Sequence, residues 1–192
     1  MQTVTKDEFR LRKDEFLDLI RQGAVFIYPT DTIYGIGCDA TNSRAVHTIR
    51  EIKARSKNPF SVIAPSKKWI EENCVSDSSK TREEWMSRLP GPYTLIFRLR
   101  NKKAIAEEVN NGSSTIGVRI PDHWFTEYAQ ESGMPIVTTS ANFTGEYFMT
   151  SLDDLNPKIK GHMDFIIYEG EKKGRPSTLV NLSEDQPDIR TR

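Results

Sequence analysis

Four polar segments of this chain each follow or end an apolar run, and they constrain its fold more than any other feature. They are Tyr28-Pro29-Thr30-Asp31-Thr32-Ile33-Tyr34-Gly35, Lys53-Ala54-Arg55-Ser56-Lys57-Asn58-Pro59, Thr115-Ile116-Gly117-Val118-Arg119 and Thr138-Thr139-Ser140-Ala141-Asn142-Phe143-Thr144-Gly145. The run before the first, Ala24 to Tyr28, is continuous rather than alternating and stops at Pro29, which suits a strand covered on both faces. In an open α/β sheet of that kind the strand ends form the crevice where ligands bind. Four hydroxyl- and cation-rich strand ends can therefore converge on one concave surface that reads as an anion-binding active site.

The rest of the chain alternates helical and extended patterns. Thr5 with Glu8 fits a capping box, and Phe16, Leu19 and Ile20 extend a helical stripe that stops near Gly23. Ser43 is placed to cap a second helix in which Val46, Ile49 and Ile52 share a face, with Arg50 and Lys53 turned to solvent or a cleft and an end near Arg55. Phe60–Ala64 reads as a strand, Lys67–Asn73 as a helix with Trp69 and Ile70 inward, and the polar stretch Ser76–Arg88 as helical toward Trp85. Pro90-Gly91-Pro92 is a rigid turn feeding the strand Tyr93–Leu99. Strands over Thr115–Ile120, Pro135–Thr139, Phe165–Tyr168 and Ser177–Leu182, with a helix around Trp124–Glu131, complete an α/β fold with a mixed twisted sheet.

The 192 residues suit one domain, 1–192. With 27 basic and 27 acidic residues and a pI near 6.8, no whole-molecule field draws the chain to nucleic acid or membrane. The start is charged too early for a secretory segment and no apolar run is long enough to span a bilayer, so a soluble, cytoplasmic protein with no membrane partner is expected. Cys38 and Cys74 lack metal or disulfide spacing, and His47, His123 and His162 lack paired ligand spacing. No protein-held metal is expected from them.

Chemistry must then come from cations, hydroxyls and backbone dipoles. Between Arg50 and Lys68 six basic residues (Arg50, Lys53, Arg55, Lys57, Lys67, Lys68) face only Glu51 within the span. Lys53 and Arg55 can reach one polyanion if the chain leaves helical geometry at Ala54, Lys as a compact charge and Arg as paired donors. The Thr138–Gly145 loop can line a turn with hydroxyls and backbone N–H groups facing an anion. Arg119 shares a strand face with Thr115 and Gly117, and a mid-strand glycine implies close approach of another backbone or a ligand. Neither the Walker nor the Rossmann glycine pattern occurs, nor a nucleophile elbow or a glycosidase carboxylate pair. Such equipment suits nucleotidyl transfer, where positioning and charge neutralisation supply most of the catalysis.

These residues resemble the YrdC/TsaC family of threonylcarbamoyl-AMP synthases over about Val25 to Arg190. The family's K-x-R and S-x-N pairs stand as Lys53-Ala54-Arg55 and Ser140-Ala141-Asn142, beside Pro29–Gly35, Pro90–Thr94 and Ser177–Val180. The resemblance implies a single-domain YrdC-like twisted mixed sheet flanked by helices with a basic concave cavity. It implies the reaction of L-threonine, bicarbonate and ATP to threonylcarbamoyl-AMP and pyrophosphate, for N6-threonylcarbamoyladenosine in tRNA. On this analogy Lys53 and Arg55 are catalytic; Thr32, Arg119, Thr138 and Ser177 hold threonine; and Arg55, Asn58, Thr115, Ser140, Asn142 and Arg190 hold ATP. Mg²⁺ is expected on the ATP phosphates, and a tRNA-modifying transferase complex is expected to accept the intermediate, with RNA contact as a further partner.

Two departures from the family pattern stand out. Ser56 replaces a proline that often follows the K-x-R pair, and Ile63-Ala64 occupy the strand end where many members carry a histidine that contacts threonine. Two other readings remain open at this point: a double-stranded RNA-binding module, and a paralogue that activates a different carbamoyl or acyl substrate.

Overall fold

The computed structural model describes residues 1–54, 58–76, 78–143, 145–184 and 186–191. The chain starts with β1 (Gln2–Val4) and α1 (Lys6–Leu11), whose capping box is closed by Thr5 and Glu8. The expected single helix to Gly23 breaks at Arg12 and resumes as α2 (Lys13–Arg21). The break brings the Phe9 and Phe16 rings together, stacked at 5.1 Å between centroids.

Strands β2 (Phe26–Tyr28) and β3 (Gly35–Gly37) form an antiparallel pair around the first polar segment. Helix α3 (Ser43–Ile52) is capped by Asn42 rather than Ser43, because the Asn42 side-chain Oδ1 accepts from the Ala45 N–H at 3.1 Å. It ends at Ile52 with Lys53 as its C-cap, short of the end near Arg55 that the pattern predicts. There follow β4 (Ser61–Ile63), α4 (Lys67–Asn73), β5 (Cys74–Val75), α5 (Ser79–Ser87) and β6 (Tyr93–Leu99). Then come α6 (Glu107–Asn110), β7 (Thr115–Arg119), α7 (Thr126–Ser132), β8 (Ile136–Ser140), α8 (Pro157–Lys160), β9 (Phe165–Ile167), β10 (Thr178–Asn181) and β11 (Asp188–Arg190).

Among the described residues these strands make one mixed sheet in the order β1-β9-β2-β3-β8-β4-β7-β6-β10-β11, with β5 added to β6. Alternate residues of β2 serve two cores: Phe26 and Tyr28 join an aromatic cluster with Phe9, Phe16, Phe125 and Phe165, while Val25 and Ile27 join an aliphatic one with Ile36, Val62 and Val118. Both faces are thus covered, as the continuous apolar run requires. The register carries the polar strand ends with it. Ser61 of β4 pairs with Gly117 of β7 on one side and Thr138 of β8 on the other, and Gly35 of β3 pairs with both Tyr28 and Ser140.

Candidate active site

All four polar segments reach one cavity of about 230 Å³, the second of them through Pro59. That volume is below the roughly 300–1,000 Å³ of sites for drug-sized ligands. Its enclosed part suits a ligand the size of an amino acid. The wall includes Thr32, Arg119, Thr138, Ser140, Asn142 and Ser177, the sequence-derived candidates, with Thr30, Ser61, Thr94, Phe60, Phe148 and Pro176 added by the fold.

Each wall residue is held for a local reason. In the β2–β3 loop the Thr30 hydroxyl donates to the Ile33 carbonyl (2.7 Å), accepts from the Thr32 N–H (3.1 Å) and lies 2.9 Å from the Thr32 hydroxyl. This local turn satisfies the loop's polar groups and aims Thr32 at the cavity. Ser177 sits at the start of β10 with its hydroxyl 2.7 Å from that of Thr94, and both residues are buried. The close approach at Gly117 is made by a neighbouring side chain: a Cβ there would lie 2.5 Å from Ser61 Oγ. Glycine at 117 therefore lets the Ser61 hydroxyl lie across β7 in the cavity wall.

Arg119 is 5% exposed. Its Nη2 donates to Asp31 Oδ1 at 2.5 Å and to the Thr32 hydroxyl at 3.2 Å. Burial pulls its pKa down from the ordinary arginine value, while Asp31 and Tyr28 oppose that loss of charge. Its Nε is buried without a hydrogen-bond partner. Buried donors are normally paired, so this Nε is an unmet hydrogen-bonding capacity on a residue that lines the cavity. The sequence identified Arg119 but missed Asp31, whose only signal is its place inside the first polar segment.

The rim at the end of β8 is arranged differently. Lys53, 2% exposed, donates from Nζ to the Ser140 carbonyl at 2.5 Å, joining the K-x-R segment to the S-x-N segment. Ser140 Oγ donates to Asn142 Oδ1 at 2.5 Å, and Asn142 Nδ2 donates to the Glu146 carbonyl at 2.7 Å. Ala54 takes φ +47°, so the chain does leave helical geometry between the two cations, in a conformation that a residue with a Cβ rarely adopts. Arg55 lies outside the described residues. Of the other nucleotide candidates, Asn58 and Arg190 are exposed and Thr115 is half-buried beside Ser113, none of them in the cavity wall. Arg190 donates to Asp188 on its own strand at 2.8 Å.

The basic cluster between Arg50 and Lys68 needs correction. Arg50 is not turned to solvent or a cleft: it is buried and donates to the carbonyls of Glu108 (2.5 Å), Val109 (3.1 Å) and Asn58 (3.2 Å), with its guanidinium 4.6 Å from the Phe60 ring centroid. It is a brace that sets the Asn58–Phe60 loop against α6. Lys67 and Lys68 are solvated on α4, Lys68 near Glu72 at 3.7 Å. Ile63 is fully buried in the aromatic core and pairs in register with Arg119, so the position beside the arginine is apolar.

A strap between β9 and β10 closes one side of the cavity. Burial pushes against ionisation of Glu169, yet hydrogen bonds from Lys172, Trp124 and His123 hold its pKa down at about 2. Those bonds run from Trp124 Nε1 at 2.5 Å, His123 Nε2 at 2.9 Å and Lys172 Nζ. Tyr34 accepts from the Glu169 N–H and donates to the Gly170 carbonyl. Further on, a Cβ at Gly174 would lie 2.1 Å from the Thr32 carbonyl oxygen, so only glycine permits this backbone-on-backbone crossing. The strap then delivers Pro176 and Ser177 to the wall.

Cys38 and Cys74 are free and buried, and burial raises the Cys74 thiol to about 12, so neither offers a ready thiolate. Among the described residues no helix is long and apolar enough to cross a membrane.

Comparison with known proteins adds to this geometry. The Sua5/YciO/YrdC family, described as "Telomere recombination", matches residues 18–192. A Methanocaldococcus jannaschii protein provisionally named threonylcarbamoyl-AMP synthase is 35% identical over 184 residues, 94% of this chain and 85% of that protein. The threonylcarbamoyl-AMP synthase of Bacillus subtilis is 31% identical over 88% of this chain but 49% of its own length. The crystal structure of Pyrococcus abyssi Sua5 complexed with L-threonine superposes with a TM-score of 0.85 at 28% identity, covering 98% of this chain and 56% of that one. The chain thus spans about half the length of the last two.

Proposed function

The chain belongs to the Sua5/YciO/YrdC family, and from that premise we propose that it makes threonylcarbamoyl-AMP from L-threonine, bicarbonate and ATP, releasing pyrophosphate. The observation that carries this reading is Arg119: a buried cation, not all of whose donors are bonded, on a residue that lines a small cavity rich in hydroxyls. It fits a zwitterionic amino acid whose side chain carries a hydroxyl.

In this reading Arg119 takes the threonine carboxylate, while Thr32, Thr138 and Ser177 meet its hydroxyl and amine. The neutral amine adds to the carbon of bicarbonate and water leaves, giving a carbamate. A carbamate oxygen then attacks the α-phosphorus of ATP and pyrophosphate departs. Lys53 and Arg55 neutralise charge developing on the phosphates, and Asn58, Thr115, Ser140, Asn142 and Arg190 grip the nucleotide at the open side of the cavity. Charge neutralisation and alignment supply the rate, so no protein nucleophile is needed. Among the described residues no three His, Cys, Asp or Glu side chains are grouped as metal ligands. Mg²⁺ belongs to this proposal only as a companion of the ATP phosphates, and no step here runs through it. A cytoplasmic setting and transfer of the product to a tRNA-modifying complex, with RNA contact there, complete the proposal.

Incubation of the protein with ATP, labelled bicarbonate and each amino acid in turn tests it. Pyrophosphate and a labelled adenylate should form with threonine and not with valine, which leaves the cavity hydroxyls unmatched. Pyrophosphate release that ignores the amino acid would overturn it.

A further inference from the structure

We propose that Asp31 is the positioning residue for Arg119, and that it governs affinity for the amino-acid carboxylate without itself touching the ligand. The inference rests on the threonine reading above and names a residue that reading does not use.

Asp31 is not part of the cavity wall. Its side chain is nevertheless 10% exposed, and both of its oxygens are engaged across long stretches of sequence. Oδ1 accepts from Arg119 Nη2 at 2.5 Å, and Oδ2 accepts from the Asp122 N–H at 3.1 Å. The second bond matters as much as the first. It ties the carboxylate to the backbone just past β7, the strand that carries Arg119, so the ion pair and its mount share one rigid element. The Thr32 hydroxyl takes another bond from the same Nη2. One nitrogen of the guanidinium is thereby consumed by the protein, while Nε stays buried and unbonded. A planar guanidinium anchored at one nitrogen has its remaining donors fixed in direction, so a carboxylate meets donors that need no reorganisation.

A simpler alternative predicts the opposite. If Asp31 only competed for the guanidinium, its removal would free a donor and tighten carboxylate binding. In a buried site the removal instead leaves an uncompensated cation, which will shift or lose its place.

Asp31→Asn, which keeps the shape and removes the charge, separates these outcomes. The KM for threonine is expected to rise roughly ten- to a hundredfold, the range for losing a charge-assisted hydrogen bond, while the KM for ATP stays within about twofold because the phosphate rim is held by other residues. An unchanged or lowered KM for threonine overturns the inference. Asp31→Asn leaves Arg119 unpaired and so loads the fold as well as the site; the second arm therefore compares Arg119→Gln with the Asp31→Asn/Arg119→Gln pair, in which no buried charge is stranded. A residue that acts only through Arg119 makes the double variant no weaker for threonine than Arg119→Gln alone; a further loss in the double variant overturns the inference. Wild-type protein that neither binds nor activates threonine would count against the proposed function instead, and is read from the same assay before any variant is made.

Discussion

The deep half of the cavity and its rim are built from different parts. Thr32, Thr94, Arg119 and Ser177 are all buried, sit at strand ends or in a tight turn, and bond to one another or to Asp31. At the rim Asn142 is half-buried and Ala54, next to Lys53, holds a left-handed backbone, while the further nucleotide candidates Asn58 and Arg190 are exposed outside the cavity wall. The deep half is therefore preorganised by the sheet, whereas the rim hangs on a helix exit and turns. A preorganised site forgoes little ordering entropy on binding, so the small ligand can be bound before the nucleotide.

The largest expected effect comes from breaking the buried anchor of the rim, Lys53. Lys53→Ala removes the buried ammonium that donates to the Ser140 carbonyl. It should lower kcat/KM for ATP roughly ten- to a hundredfold, leave threonine binding without nucleotide nearly unchanged, and cost about 1–3 kcal/mol of stability because a buried acceptor loses its donor. The sequence alone predicts a mutation with little effect on stability, since Lys53 reads as a loop cation; its burial reverses that expectation. Denaturant unfolding beside steady-state kinetics checks both parts. Equal weakening of threonine and ATP would erase the distinction between the halves.

An intermediate effect is expected from the strap. Gly174→Ala forces a Cβ toward the Thr32 carbonyl and should raise the KM for threonine about tenfold by displacing Thr32 and Ser177, with the KM for ATP little changed. An effect on ATP alone would assign the strap to the nucleotide side.

Much of this was legible in the chain, for identifiable reasons. Tyr93–Leu99 is a strand in both readings because a Pro-Gly-Pro turn and a long apolar run mark it without ambiguity. Thr5 and Glu8 make their capping box because both partners lie within one turn. What escaped was whatever depends on distant partners. Asp31 finds Arg119 across 88 positions, and the carbonyls that bury Arg50 come from the chain 58 and 59 residues further on, so Arg50 looks like an ordinary solvent-facing helix residue. Strands β1, β3 and β11 are three residues each, too short to show a period, and exist through their neighbours in the sheet. Five of the six cavity candidates lie in the polar strand-end segments, a local signal, whereas Ser177 was marked only by the family resemblance. Ser61 and Thr94 are placed only by register.

The smallest effect concerns acid. Glu169 has its pKa lowered from 4.5 to about 2 in the fold. A carboxyl with a depressed folded-state pKa contributes stability that is complete above its unfolded value and is lost as pH falls through the folded one. Glu169→Gln should thus destabilise by about 1–3 kcal/mol above pH 5, with the gap between wild type and variant closing as pH drops from about 4.5 toward 2. A gap that stays constant across that range would show that the charge on Glu169 does not hold the strap.

The central claim, that the deep half is a ready-made threonine site, is tested most directly by calorimetric titration of the protein with L-threonine in the absence of ATP. Saturable binding at one site per chain is predicted, weakened roughly a hundredfold by Arg119→Gln and retained by Lys53→Ala. Threonine binding that requires nucleotide, or that is unchanged by the loss of Arg119, would contradict it.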